Sequence, residues 1–113
     1  MTVEAFRRLA LSLPEAVESS HMGHPDFRVR GKIFATIAPD GKRAGLNLVP
    51  DQQLVFMNSL PEVFVPAPGA WGARGFTMVT LRKAKKNTVQ DALVMAWRNT
   101  APKQLVSLHS GLG

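Results

Sequence analysis

Apolar residues at Val3, Phe6, Leu9, Ala10 and Leu13 recur at intervals of three and four, which predicts an amphipathic first helix. Thr2 can cap it, Arg7 and Arg8 fall on its outer side, and Pro14 pushes Leu13 out of the helical region, so the helix ends near Ser12. Glu15–Met22 then reads as an edge strand and Gly23-His24-Pro25-Asp26 as a turn. Two runs rich in β-branched and aromatic residues, Phe27–Val29 and Ile33–Ile37, flank Arg30-Gly31-Lys32 and predict a β-hairpin. A two-residue loop would set Val29 opposite Lys32 and Phe27 opposite Phe34. A three-residue loop would align Phe27, Val29, Ile33, Ala35 and Ile37, and this gives the cleaner apolar face.

Pro39-Asp40-Gly41-Lys42 is a turn signal. Arg43–Val49 follows as a strand, with Ala44, Leu46 and Leu48 alternating against Arg43, Gly45 and Asn47. Pro50 and Asp51 suit the start of a second helix, running to about Asn58 and burying Leu54, Met57 and Phe56. Glu62–Val65 is a short strand, and Pro66–Gly75 a loop rich in proline and glycine. Phe76–Leu81 is apolar on both sets of alternate positions, as expected of a strand covered on both faces. Thr88 and Asp91 stand at capping-box spacing before a last helix that uses Val89, Ala92, Leu93, Ala96 and Trp97 as its buried stripe. Leu105–Gly113 reads as a frayed tail. No β-α-β alternation appears, so the expected class is α+β: one domain over residues 1–104, a twisted antiparallel sheet with helices packed on one face, then a flexible tail, 105–113.

Composition sharpens this picture in three ways. The chain has no cysteine among its 113 residues, which excludes thiol catalysis, zinc–thiolate sites and disulfides. No apolar run approaches the roughly 20 residues of a membrane helix, and Met1–Ala10 lacks a signal-peptide core, so a cytoplasmic monomer is the default expectation. Fourteen Lys and Arg against eight Asp and Glu leave a net charge of +6. Such a field favours encounter with polyanions.

The cations cluster at two places. Arg28, Arg30 and Lys32 sit at or beside the tip of the hairpin, from which guanidinium forks can reach phosphate oxygens. Arg82, Lys83, Lys85 and Lys86 crowd a connector just before a helix start, where amides and the helix dipole at Thr88 would add to an anion site. Arg74 lies beside Trp71 in the glycine-rich loop. That tryptophan either stacks a base or, the commoner use of such a ring, folds back as a lid over the core. His21 and His24 are three apart, but the Gly-His-Pro setting is a loop, so no metal site is expected. There is no nucleophile elbow, phosphate loop or dinucleotide fingerprint, and neither an enzyme nor a cofactor is expected.

Phe27-Arg28-Val29-Arg30-Gly31-Lys32-Ile33-Phe34-Ala35 resembles the Phe-Arg-Val-x-Gly-Lys-Ile-Phe-Ala core of the MmcQ/YjbR family of small bacterial proteins. Leu13-Pro14-Glu15, His24, the Trp71–Gly75 loop and Ala101-Pro102 extend the likeness over about residues 3–104. The resemblance implies a fold similar to CyaY, the bacterial frataxin, and a "double-wing" DNA-binding role. It does not imply iron binding, because the first helix offers only Glu4 beside Arg7 and Arg8 where clustered oxygen ligands are needed. The expected function is a small basic protein that binds DNA through phosphate contacts with little sequence specificity. The alternative is a protein-interaction or small-anion module with no nucleic-acid role.

Overall fold

A computed structural model describes residues 1–111. Its helices are α1 (Val3–Leu11), α2 (Pro50–Ser59), α3 (Gly69–Ala73), α4 (Lys86–Thr100) and α5 (Lys103–Leu108). Its strands are β1 (Ala16–His21), β2 (His24–Val29), β3 (Lys32–Ile37), β4 (Arg43–Asn47), β5 (Phe64–Pro66) and β6 (Phe76–Thr80). All six strands join one antiparallel sheet in the order β1-β2-β3-β4-β6-β5. The α+β class, with helices gathered on one face of the sheet, is as the sequence predicts.

The alternation of side chains explains the layering. Phe27, Ala35, Leu46 and Thr77 are register partners across four strands and are fully buried. Against them pack Phe6 of α1, edge-on to Phe27 at 6.0 Å, and the buried stripe of α4. Phe56 of α2 meets Phe64 of β5 at 4.9 Å on the same side. Trp97 is fully buried, and its Nε1 donates to Pro14 O at 3.0 Å, pinning α4 to the segment that joins α1 to β1.

Three features depart from expectation. His24–Asp26 belong to β2, so the β1–β2 turn is only Met22-Gly23, both with positive φ. The β2–β3 loop is the two-residue one: Arg30 (φ 51°) and Gly31 (φ 81°) close it, Val29 faces Lys32, and Phe34 is an extra residue in the ladder. That β-bulge turns Phe34 into the core together with Ala35, so a two-residue loop and an apolar face coexist where strict alternation allowed only one. Thr88 is not a cap, because α4 begins at Lys86 with Lys85 as its N-cap.

The ends of the chain's elements differ in smaller ways. Leu54 of α2 is exposed, while Phe56 and Met57 pack against the core. The loop before β6 contains α3. Residues 103–108 form α5 with Leu105 buried, so the stretch read as a frayed tail opens as an ordered helix. The last two residues of that tail lie outside the described residues.

Candidate nucleic-acid interface

The strand register sorts the cations into two groups. β3 leaves the Arg30-Gly31 loop at one end of the sheet and reaches the Asp40-Gly41 turn at the other. β4 starts at that turn beside Thr80, the last residue of β6. The hairpin tip and the connector after β6 are therefore separated by a strand length, about 15–20 Å. Arg28, Arg30 and Lys32 do not share a surface stripe with Arg82, Lys83, Lys85 and Lys86.

At the hairpin end the arginines are already partnered. Arg28 holds Asp26 with two bonds, Nε to Oδ1 at 2.8 Å and Nη2 to Oδ2 at 3.0 Å. Asp26 is fully buried and also meets His21 Nδ1 at 2.7 Å. The Arg28 bond, and after it the His21 bond, hold the Asp26 carboxyl below its usual range against the opposing effect of desolvation. Arg30 forms a fork with Glu15, at 2.5 and 3.0 Å, which lowers the glutamate's pKa. Lys32 is exposed and, among the described residues, carries no ion pair. Arg74, the C-cap of α3 on the sequence side of β6, is likewise exposed and without an ion pair.

The other end gathers the larger group of cations. Arg82 and Lys83 lie in a short 3-10 turn, Lys85 is the N-cap residue of α4 and Lys86 begins it; all are exposed, and among the described residues none forms an ion pair. Lys42 joins them, because Leu81 N donates to Lys42 O at 3.2 Å. Its role was not visible in the sequence, where Lys42 reads only as the last residue of a turn. The N-terminal ammonium also lies here, donating to Leu81 O at 2.6 Å and Ala84 O at 3.3 Å. An open cleft of about 620 Å³ runs between Thr2, Lys42 and Arg82. The acids at this end are Asp40, Glu62 and, in the first turn of α1, Glu4, which pairs with Arg7. Asp40 is held ionised by the amides of Lys42 and Arg43 and by Arg43 Nε, and its pKa is lowered accordingly. Glu62 precedes Val63, whose carbonyl accepts from Thr80 N at 2.8 Å.

His21 and His24 are register partners across the β1–β2 hairpin, with ring centroids 4.4 Å apart, and His24 Nδ1 is buried without a hydrogen-bond partner. Among the described residues no group of three or more His, Asp or Glu side chains is placed to hold a metal ion. No helix of the described residues is long and apolar enough to cross a membrane. Trp71 is 67% exposed, so its ring does not lie over the core as a lid. It stands edge-on to Phe76, with centroids 6.4 Å apart.

A helix-backed six-stranded antiparallel sheet with one basic end defines a small α+β class of protein. The YjbR family model matches residues 11–99, and the chain belongs to that family. Among solved structures, the crystal structure of Deinococcus radiodurans protein DR2400, described by the domain DUF419, is similar to it in fold, with a TM-score of 0.71 at 19% identity. That match covers 96% of this chain and 80% of DR2400. No curated protein matches the chain.

Proposed function

We propose that this protein binds DNA through the phosphate backbone, with little sequence specificity, and that its basic end rather than its hairpin makes the contacts. One observation carries this: Lys42, Arg82, Lys83, Lys85 and Lys86 are exposed, lack ion-pair partners and meet at one end of the sheet. Arg28 and Arg30 would have to leave Asp26 and Glu15 before serving a phosphate. Binding rather than catalysis is favoured by the histidine environment, in which His21, not His24, meets Asp26 and that carboxylate is closed to solvent.

The test is titration of a labelled duplex at about 50 and 200 mM salt, where each phosphate contact contributes about −0.9 to the slope of log affinity against log salt. Replacing Arg82, Lys83, Lys85 and Lys86 with Gln should weaken binding and flatten the slope. Replacing Arg28, Arg30 and Lys32 should change it less. Failure of the protein to bind any DNA at the lower salt rejects the proposal.

A further inference from the structure

We infer that the nucleic acid taken by this protein is single-stranded, and that it crosses the face of the sheet opposite α1 and α4, along β4 and β6, with a base stacked on Trp71 beside Phe76 and its phosphates running on to Lys42 and Arg82. The inference rests on the basic end as the phosphate site and adds the path and the strandedness.

The face opposite α1 and α4 is set by the register row Asp26, Thr36, Gly45, Met78 and Val65. At its centre Gly45 has no side chain, and the Phe76 ring occupies that space: a Cβ on Gly45 would stand 2.5 Å from Phe76 Cε1. Phe76 is thus laid across β4, where its partly exposed ring extends the edge of Trp71. The helix that reaches this surface is α3, which sets Trp71 against Phe76, and Gly45 and Met78 in the middle of the row are buried. A 67% exposed tryptophan braced by a second aromatic ring is an apolar surface of the kind that unpaired bases stack upon, whereas bases in a duplex are already stacked.

Charge is complementary along the same line. β6 runs from Phe76, next to the aromatic pair, to Thr80, next to Lys42 and Arg82. That is about 13 Å of strand, a length that a few extended nucleotides cover. Among the described strand residues of this face the carboxylate is Asp26, which is buried and bound by Arg28 and His21. Glu18 of β1 points to the helix side, where Arg7 of α1 binds it at 2.9 Å. A phosphate chain on this path meets Asp40 only as a partner of Arg43, and Glu62 only at the border.

The two tryptophans make the experiment direct, because Trp97 is fully buried and a ligand on the surface perturbs only Trp71. The full chain is titrated with oligo(dT) and with a duplex of equal length, following intrinsic fluorescence. Expected are quenching by the single strand, affinity about tenfold above that for the duplex, and a loss of about 5- to 20-fold in Trp71→Ala with an unchanged melting temperature. Gly45→Ala, which displaces the Phe76 ring, should lower single-strand affinity while leaving duplex affinity alone. Duplex binding as tight as single-strand binding, or a silent Trp71→Ala, overturns the inference. If the basic-end variant then still loses binding, the phosphate site stands without it; if neither DNA binds, both fail.

Discussion

Gly75 and Gly31 both have positive φ, yet their substitution should have unequal effects. Gly31 (φ 81°) has nothing within 4 Å of a built Cβ, so Gly31→Ala meets only the backbone cost of the left-handed region, about 1 kcal/mol. At Gly75 (φ 111°) a Cβ would collide with Leu48 O and the Val49 backbone, which cannot rotate away. Gly75→Ala should therefore cost more than about 3 kcal/mol, read as a far larger fall in melting temperature than for Gly31→Ala. Asp26 sets a second residue-scale expectation. Its folded pKa lies below the ordinary 3.8, so its stabilisation is present above that value and is lost as pH falls through the lower, folded one. Asp26→Asn should destabilise at pH 7 by about 1–3 kcal/mol. The gap from the parent should narrow in denaturant unfolding as pH falls below the ordinary carboxylate range; a gap independent of pH would mean that shape, not charge, holds the site.

At the scale of elements, the sequence was most legible where periodicity and burial agree. The stripe Val89, Ala92, Leu93, Ala96 and Trp97 is buried as its spacing predicts, because α4 packs along its whole length. The hairpin was half legible. Its turn residues fixed its position, but the bulge at Phe34 breaks the period on which a register is read, so the loop length could not be deduced. α5 was not legible, since Lys103–Leu108 is too short to show a period and Leu105 is its single buried residue. Leu105→Ala should cost about 2–4 kcal/mol, against nearly nothing for Leu108→Ala, whose side chain is 78% exposed. Equal effects in thermal unfolding would show that α5 adds nothing to the core.

For the whole molecule, charge totals gave the sign of the surface but not its geography. Pairing depends on which strands neighbour each other: Glu15 meets Arg30 only because β1 lies against β2, and Asp26 meets Arg28 because they share one face of a strand. That removes two of the predicted hairpin contacts from the free charge and leaves the densest group of cations at the end where β6 passes into α4. Like charges gathered without partners repel, and the repulsion is felt over about 30 Å at 0.01 M salt but only about 10 Å at 0.1 M. The melting temperature should therefore rise as salt is added. Replacing Arg82, Lys83, Lys85 and Lys86 with Gln should raise it at low salt and remove most of the salt dependence, the opposite of what loss of structural contacts would do. A variant that melts lower than the parent at low salt would show that these side chains support the fold. A variant that melts higher, and binds DNA less well, would identify them as cations kept apart from acids at a cost in stability, the pattern expected of a surface held open for a polyanion.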